Sequence, residues 1–168
     1  MSIFNAFIFS NLVYCSTVWH FCGLQSTRKM EKIQHRSLRY IFNDFNASYA
    51  QLRKRAHKDL LFTQRQRRIL IEVFKIIHDI TPEYLSHLAL PHETPYDMRR
   101  TNTLSISKFK STHYGKQSFM YEAAKLWNGV PNTMRKCNTI AQFRRALLQW
   151  EGPMCNCNVC ILCILSNE

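Results

Sequence analysis

Residues 118–135, SFMYEAAKLWNGVPNTMR, spell out a helix together with its own stop. Phe119, Ala123, Leu126 and Trp127 recur near i, i+4, i+7 and i+8, which places them on one apolar helix face. Asn128-Gly129 supplies residue types that tolerate a left-handed cap, and Pro131 cannot continue the helix. The same grammar recurs along the chain. Ser48-x-x-Gln51, Thr63-x-x-Gln66 and Thr139-x-x-Gln142 are capping-box patterns, a polar acceptor three residues ahead of a Gln. Thr27 predicts a helix to about Phe42 with Met30, Ile33, Ser37 and Ile41 inward. Ser48 opens a second, with Leu52 and Ala56 inward. Thr63 opens a third over about 65–79, with Ile69, Val73, Ile76, Ile77 and Ile80 as its stripe. Thr81-Pro82 starts a short helix to about Leu90, with Pro82 at its first position. Thr139 opens the last, with Ile140, Phe143, Leu147 and Trp150 inward.

With only 4 Gly and 5 Pro in 168 residues, and 46% hydrophobic residues, the chain suits long helices around a packed core. The expected fold class is mainly α, a bundle of about five to seven helices. Leu104-Ser105-Ile106 and Ser111–Tyr114 read as a short β-hairpin around 103–114. The expected organisation is an apolar N-terminal helix plus basic helices over 1–90, an irregular loop or hairpin over 91–117, C-terminal helices over 118–150 and a frayed Cys-rich tail over 151–168.

The formal net charge of +12 points to anionic partners, nucleic acid first and acidic lipid second. The charge is concentrated. Arg28 to Lys75 holds 13 of the 23 basic residues and four acids, Glu31, Asp44, Asp59 and Glu72, and so carries +9. Arg28, Lys32, Arg36 and Arg39 fall at i, i+4, i+8 and i+11, close to one line opposite the expected inner face. With a rise of about 1.5 Å per residue, such a line can follow a phosphate backbone. Arg53, Lys54, Arg55 and Lys58 surround the second helix. Arg65, Arg67 and Arg68 crowd the expected first turn of the third, where they oppose the helix dipole unless an anion relieves them. Tyr40, Phe42, Phe45, Tyr49 and Phe62 interleave with these cations. Helical spacing assigns most of them to core packing, with Tyr49 and Phe45 left to stack on unpaired bases.

Met1–Gln25 contains no Lys, Arg, Asp or Glu. It lacks the basic start of a signal peptide, and Asn5, Ser10, Asn11, Ser16, Thr17 and His20 interrupt it as a membrane span. Phe4, Phe7, Ile8, Asn11, Leu12 and Cys15 follow helical spacing, as in a buried helix cut from a larger core.

Several of these stretches together resemble the C-terminal, post-palm region of non-LTR retrotransposon reverse transcriptases. Phe7-Ile8-Phe9-Ser10-Asn11-Leu12-Val13-Tyr14-Cys15 with Val18-Trp19 resembles the family's apolar segment after the palm. Met30-Glu31-Lys32-Ile33-Gln34 resembles the opening of its next helix, and Pro82-x-Tyr84-Leu85 its Pro-x-Tyr-Leu motif. Arg99-Arg100-Thr101-Asn102 and Thr112-x-Tyr114-Gly115 resemble its Arg-rich loop and the lead into the next helix. Trp127-Asn128-x-x-Pro131, with Arg135 following, resembles its Trp-Asn signature. The motifs occur in the family's order from about Phe4 to Cys160. The resemblance implies a thumb-like region that grips RNA or an RNA/DNA duplex, with the polymerase domains expected upstream of Met1 in a truncated frame.

Catalysis is not expected. Two-metal polymerisation needs paired carboxylates, and no Asp-Asp occurs in the chain. Nor does a Gly-rich phosphate loop, Gly-x-Ser-x-Gly or His-Glu-x-x-His. Seven cysteines, Cys15, Cys22, Cys137, Cys155, Cys157, Cys160 and Cys163, do not form a secreted disulfide pattern, which predicts a nuclear or cytoplasmic location. Cys155, Cys157, Cys160 and Cys163 supply four thiolates, a candidate zinc set. Their spacing is tighter than paired Cys-x2-Cys knuckles, so uncoordinated thiols and no cofactor is the favoured expectation. The expected function is therefore a non-catalytic, nucleic-acid-binding fragment. Two rivals stand beside it: a membrane-anchored or helical interaction protein with Met1–Cys22 inserted, and a transposon relic without selected function.

Overall fold

The computed structural model describes residues 1–92, 102–108, 110–111, 115, 117–150 and 152. The chain is mainly helical, as expected. The main helices are α3 (Leu24–Phe42), α4 (Tyr49–Ala56), α5 (Leu61–Ile77), α6 (Phe119–Gly129) and α8 (Ile140–Leu148). Shorter pieces are a π-helical turn over Phe4–Phe9, α1 (Ser10–Val13), α2 (Ser16–Trp19), a 3-10 turn over Glu83–Leu88 and α7 (Asn132–Arg135). Two compact units, Met1–Arg65 and Gln66–Pro153, divide within α5.

In the first unit, α3 and α4 close over Leu38, Tyr49, Leu52, Ala56, Leu60 and Phe62, with Ile41, Phe42 and Ala47 packed against them. Ser48 forms the predicted capping box: its side chain accepts the Gln51 amide, and the Gln51 side chain accepts the Ser48 amide. The buried face of α3 differs from the expected one. Thr27, Glu31, Gln34 and Leu38 turn inward, whereas Ile33 is exposed and Met30, Ser37 and Ile41 are half-buried. The reason is Glu31. Its carboxylate accepts the Tyr49 hydroxyl and the Phe62 amide (3.0 Å), an amide in the first turn of α5. An anion there complements the helix dipole and satisfies an amide that has no partner within its own helix. Hence α5 begins at Leu61, ahead of the predicted start, and Thr63 is buried inside it.

The N-terminal segment is not one buried helix. Ser10 and Asn11 turn their side chains back onto the Ala6 and Phe7 carbonyls, which competes with regular helix pairing. Cys15 takes a left-handed conformation (φ 45°) and separates α1 from α2. Phe4 and Val13 are buried; Ile3, Phe7, Tyr14 and Val18 are exposed. No described helix is long and apolar enough to cross a membrane.

The second unit is built on Ile69, Leu70, Val73 and Phe74 of α5, Ala123, Leu126 and Trp127 of α6, and Phe143 and Leu147 of α8, all buried. Phe143 stacks on Phe74 (4.6 Å between centroids, 17° between planes) and meets Trp127 at 5.7 Å. Ser118 and Thr139 cap α6 and α8 through the Tyr121 and Gln142 amides. Pro82 precedes its 3-10 turn instead of opening a helix. The expected 103–114 hairpin is replaced, among the described residues, by one antiparallel bridge between Pro91 and Leu104; Thr112–Tyr114 lie outside them.

Candidate nucleic-acid interface

Because Glu31 rotates α3 inward, its opposite face is Lys29, Lys32, Ile33, Arg36 and Tyr40, all exposed. These positions fall within about a third of a turn at 100° per residue, and Lys29 to Tyr40 spans roughly 16 Å of axis. Two of them, Lys32 and Arg36, are predicted site residues. Lys29 and Tyr40 escape the sequence reading because their face is only defined once the buried stripe is known. Arg28 and Arg39 flank this face and are half-buried.

On α4 and the following turn, Lys54 is exposed and Arg55 is exposed while pairing with Asp44 (3.0 Å) and lying over the Phe42 ring (4.7 Å). Arg53 lies over Tyr49 (5.0 Å) and Lys58 over Phe9 (4.1 Å), both half-buried. Between Leu24 and Lys58 the only acids are Glu31, which is buried, and Asp44, which Arg55 engages. The water-facing side of this region is therefore strongly cationic.

Three predicted contacts are placed elsewhere. Tyr49 is buried beneath α3 and donates to Glu31, so it cannot stack on a base. Burial, reinforced by the Glu31 charge, pushes its hydroxyl above the ordinary range and keeps it a donor. Arg65 is 1% exposed, because a helix that begins at Leu61 sets 65 on the same face as 61 and 69. Its guanidinium lies over Trp19 (4.9 Å) and Phe62 (5.4 Å) and reaches the Cys22 sulfur at 3.7 Å. Beside it His20 is stacked on Phe62 (5.1 Å) and buried; burial and the Arg65 charge lower its imidazole to about 3. In the second unit Arg67 donates to the Trp150 carbonyl (2.8 Å) and the Leu148 carbonyl (3.4 Å), closing the end of α8. Arg68 is exposed. With α5 starting at Leu61, neither Arg67 nor Arg68 sits in its first turn, and the predicted clash with the helix dipole does not arise.

The Trp-Asn stretch has a geometry that helical periodicity does not predict. Trp127 Nε1 donates to the Asn102 carbonyl (2.8 Å), and the buried Arg135 donates to the same oxygen (3.3 Å). The Asn128 amide accepts from the Leu104 N–H (2.8 Å) and donates to the Leu104 carbonyl (2.9 Å). These residues clamp the 102–104 backbone. Arg99, Arg100 and Thr101 lie outside the described residues, as do Cys155, Cys157, Cys160 and Cys163. Among the described residues no three His, Cys, Asp or Glu side chains converge on a metal-sized site.

Comparison with known proteins finds no matching family model, no matching curated protein and no matching solved structure.

Proposed function

We propose that this chain is a non-catalytic, thumb-like region of a non-LTR retrotransposon reverse transcriptase-like protein, which grips RNA or an RNA/DNA duplex by its phosphates. The observation that carries the proposal is the outer side of α3 and α4. Lys29, Lys32, Arg36 and Lys54 stand in water there, while Glu31 is turned inward and Asp44 is neutralised. Cations on a rigid helix keep their spacing, so they can address successive phosphates without first ordering a loop. The order of family-like motifs supplies the origin. In this reading the exposed Ile3, Phe7, Tyr14 and Val18 meet the polymerase domains that hold the catalytic carboxylates, and the protein works in the nucleus or cytoplasm.

The test is RNA binding by fluorescence anisotropy across a salt series. Log affinity is expected to fall linearly with log salt, and Lys32→Gln and Arg36→Gln are each expected to flatten the slope by about 0.7 to 0.9, one released phosphate contact apiece. A flat salt response, or no RNA binding at low salt, overturns the proposal.

The same exposed N-terminal side chains favour a second reading, a membrane-anchored or helical interaction protein with Met1–Cys22 in the lipid and the basic block on its anionic headgroups. Co-sedimentation with anionic vesicles, abolished by Phe7→Ser with Val18→Ser and without any affinity for RNA, would replace the first reading with this one.

A further inference from the structure

The end of α3 carries two aromatic rings in an unusual position. Tyr40 is 75% exposed and Phe45 50% exposed, and neither belongs to the packed core of the first unit. Their rings meet edge to face, with centroids 5.3 Å apart and planes at 86°. The turn between them is fixed by its own bonds. Asn43 caps α3 in the left-handed conformation (φ 49°), and the Asp44 amide returns to the Arg39 carbonyl (3.1 Å). The Asp44 carboxylate then accepts the Ala47 amide (3.0 Å) and the Arg55 guanidinium (3.0 Å). Phe45 is thus held against Tyr40 while both rings keep surface in water.

We infer that Tyr40 and Phe45 form a stacking platform for unpaired bases, with Arg36 and Lys32 holding the adjoining phosphates. This inference rests on the nucleic-acid reading above and adds a substrate preference to it: single-stranded nucleic acid or an unpaired end over continuous duplex. The neighbouring chemistry selects this occupant over an apolar protein surface. Arg36 lies one helical turn before Tyr40, Lys32 one turn before that, and both are exposed. An aromatic face beside regularly spaced cations matches a base attached to its phosphate, whereas the bases inside a duplex already have both faces covered.

The experiment compares the full chain with a Tyr40→Ala, Phe45→Ala variant, using oligouridine and a blunt RNA duplex as probes. The variant should lose about ten- to a hundredfold in affinity for oligouridine, with its salt slope unchanged and its duplex affinity altered less than about twofold. Tyr40→Phe with Phe45→Tyr keeps both rings and should bind like the parent, and circular dichroism confirms that all three proteins fold. Equal loss on both probes, or no loss on oligouridine, overturns the platform and leaves the basic face standing. If the parent chain shows salt-dependent binding to neither probe, both readings are overturned.

Discussion

On α3, Lys29, Lys32 and Arg36 point into water; in the second unit, Arg67 and Arg135 point onto carbonyl oxygens. The residue types are alike and the outcomes are opposite. What separates them is the supply of acceptors. The end of α8 and the turn at Asn102 both present unsatisfied carbonyls, which a guanidinium reaches with its apolar stem buried. The outer face of α3 is the middle of a helix, where every carbonyl is already bonded to the next turn. Among the described residues Lys29, Lys32 and Arg36 meet no acceptor side chain, so they are available to a partner outside the chain. Charge density along the sequence therefore marks the region, and local backbone chemistry decides which cations stay free to bind.

That contrast can be broken by substitution. Trp127→Ala removes a buried indole and its bond to Asn102, and about 3–5 kcal/mol of stability should go with it, read by urea denaturation. Lys32→Gln with Arg36→Gln should stay within about 0.5 kcal/mol in the same measurement. If the α3 pair proves as damaging as Trp127→Ala, the division between structural and free residues is wrong.

Glu31→Gln comes next. It weakens the bonds from the Tyr49 hydroxyl and the Phe62 amide, and hydrogen bonds to charged groups are worth about 1.5–3 kcal/mol. A loss of that order in the melting curve, with RNA affinity per folded molecule unchanged, would confirm that this acid serves the fold; an RNA affinity that rises markedly would place Glu31 on the binding face instead.

His20 gives a pH-dependent effect. Above pH 6.5 its imidazole is neutral both folded and unfolded, so its contribution to stability is full. Below 6.5 the unfolded chain takes up a proton that the folded side chain, lowered to about 3, does not. Stability should fall as pH drops from 6.5 towards 3, by up to about 1.4 kcal/mol per pH unit from this group. Comparing His20→Phe with the parent between pH 6.5 and 5 isolates the effect, and identical slopes would remove His20 from the account.

Gly129→Ala should have the smallest effect. Gly129 is the last residue of α6, has no positive φ, and an added Cβ meets nothing within 4 Å. Alanine there should raise stability by up to about 1 kcal/mol; a destabilised variant would restore the left-handed cap that the sequence predicts.

The last case shows where sequence reading stops. The span of α6 is legible almost to the residue, because Ser118, the apolar stripe and Pro131 are all local signals. Its termination is not, because the Val130 amide closes onto the Trp127 carbonyl and Asn128 is diverted to Leu104. The capping box at Ser48 is equally legible. The inner face of α3 is displaced from its expected position for the opposite reason: a buried carboxylate reads as surface until Tyr49 and Phe62 are seen to surround it. The site inherits that error. Tyr49 and Arg65 fall out of it, Tyr40 and Lys29 enter, and each change follows from where Glu31 and the start of α5 lie.

The Asn128 clamp has one more consequence. The extended residues around Leu104 are already paired on one side, where the His92 amide meets the Thr103 carbonyl and the Ser105 amide meets the Leu90 carbonyl, both at 2.9 Å. On the other side Asn128 occupies both polar groups of Leu104. Its amide stands in for the peptide of a second neighbouring strand and denies that place to any other chain. A short β-like edge in a helical protein is an invitation to self-association, and here a single side chain seals it.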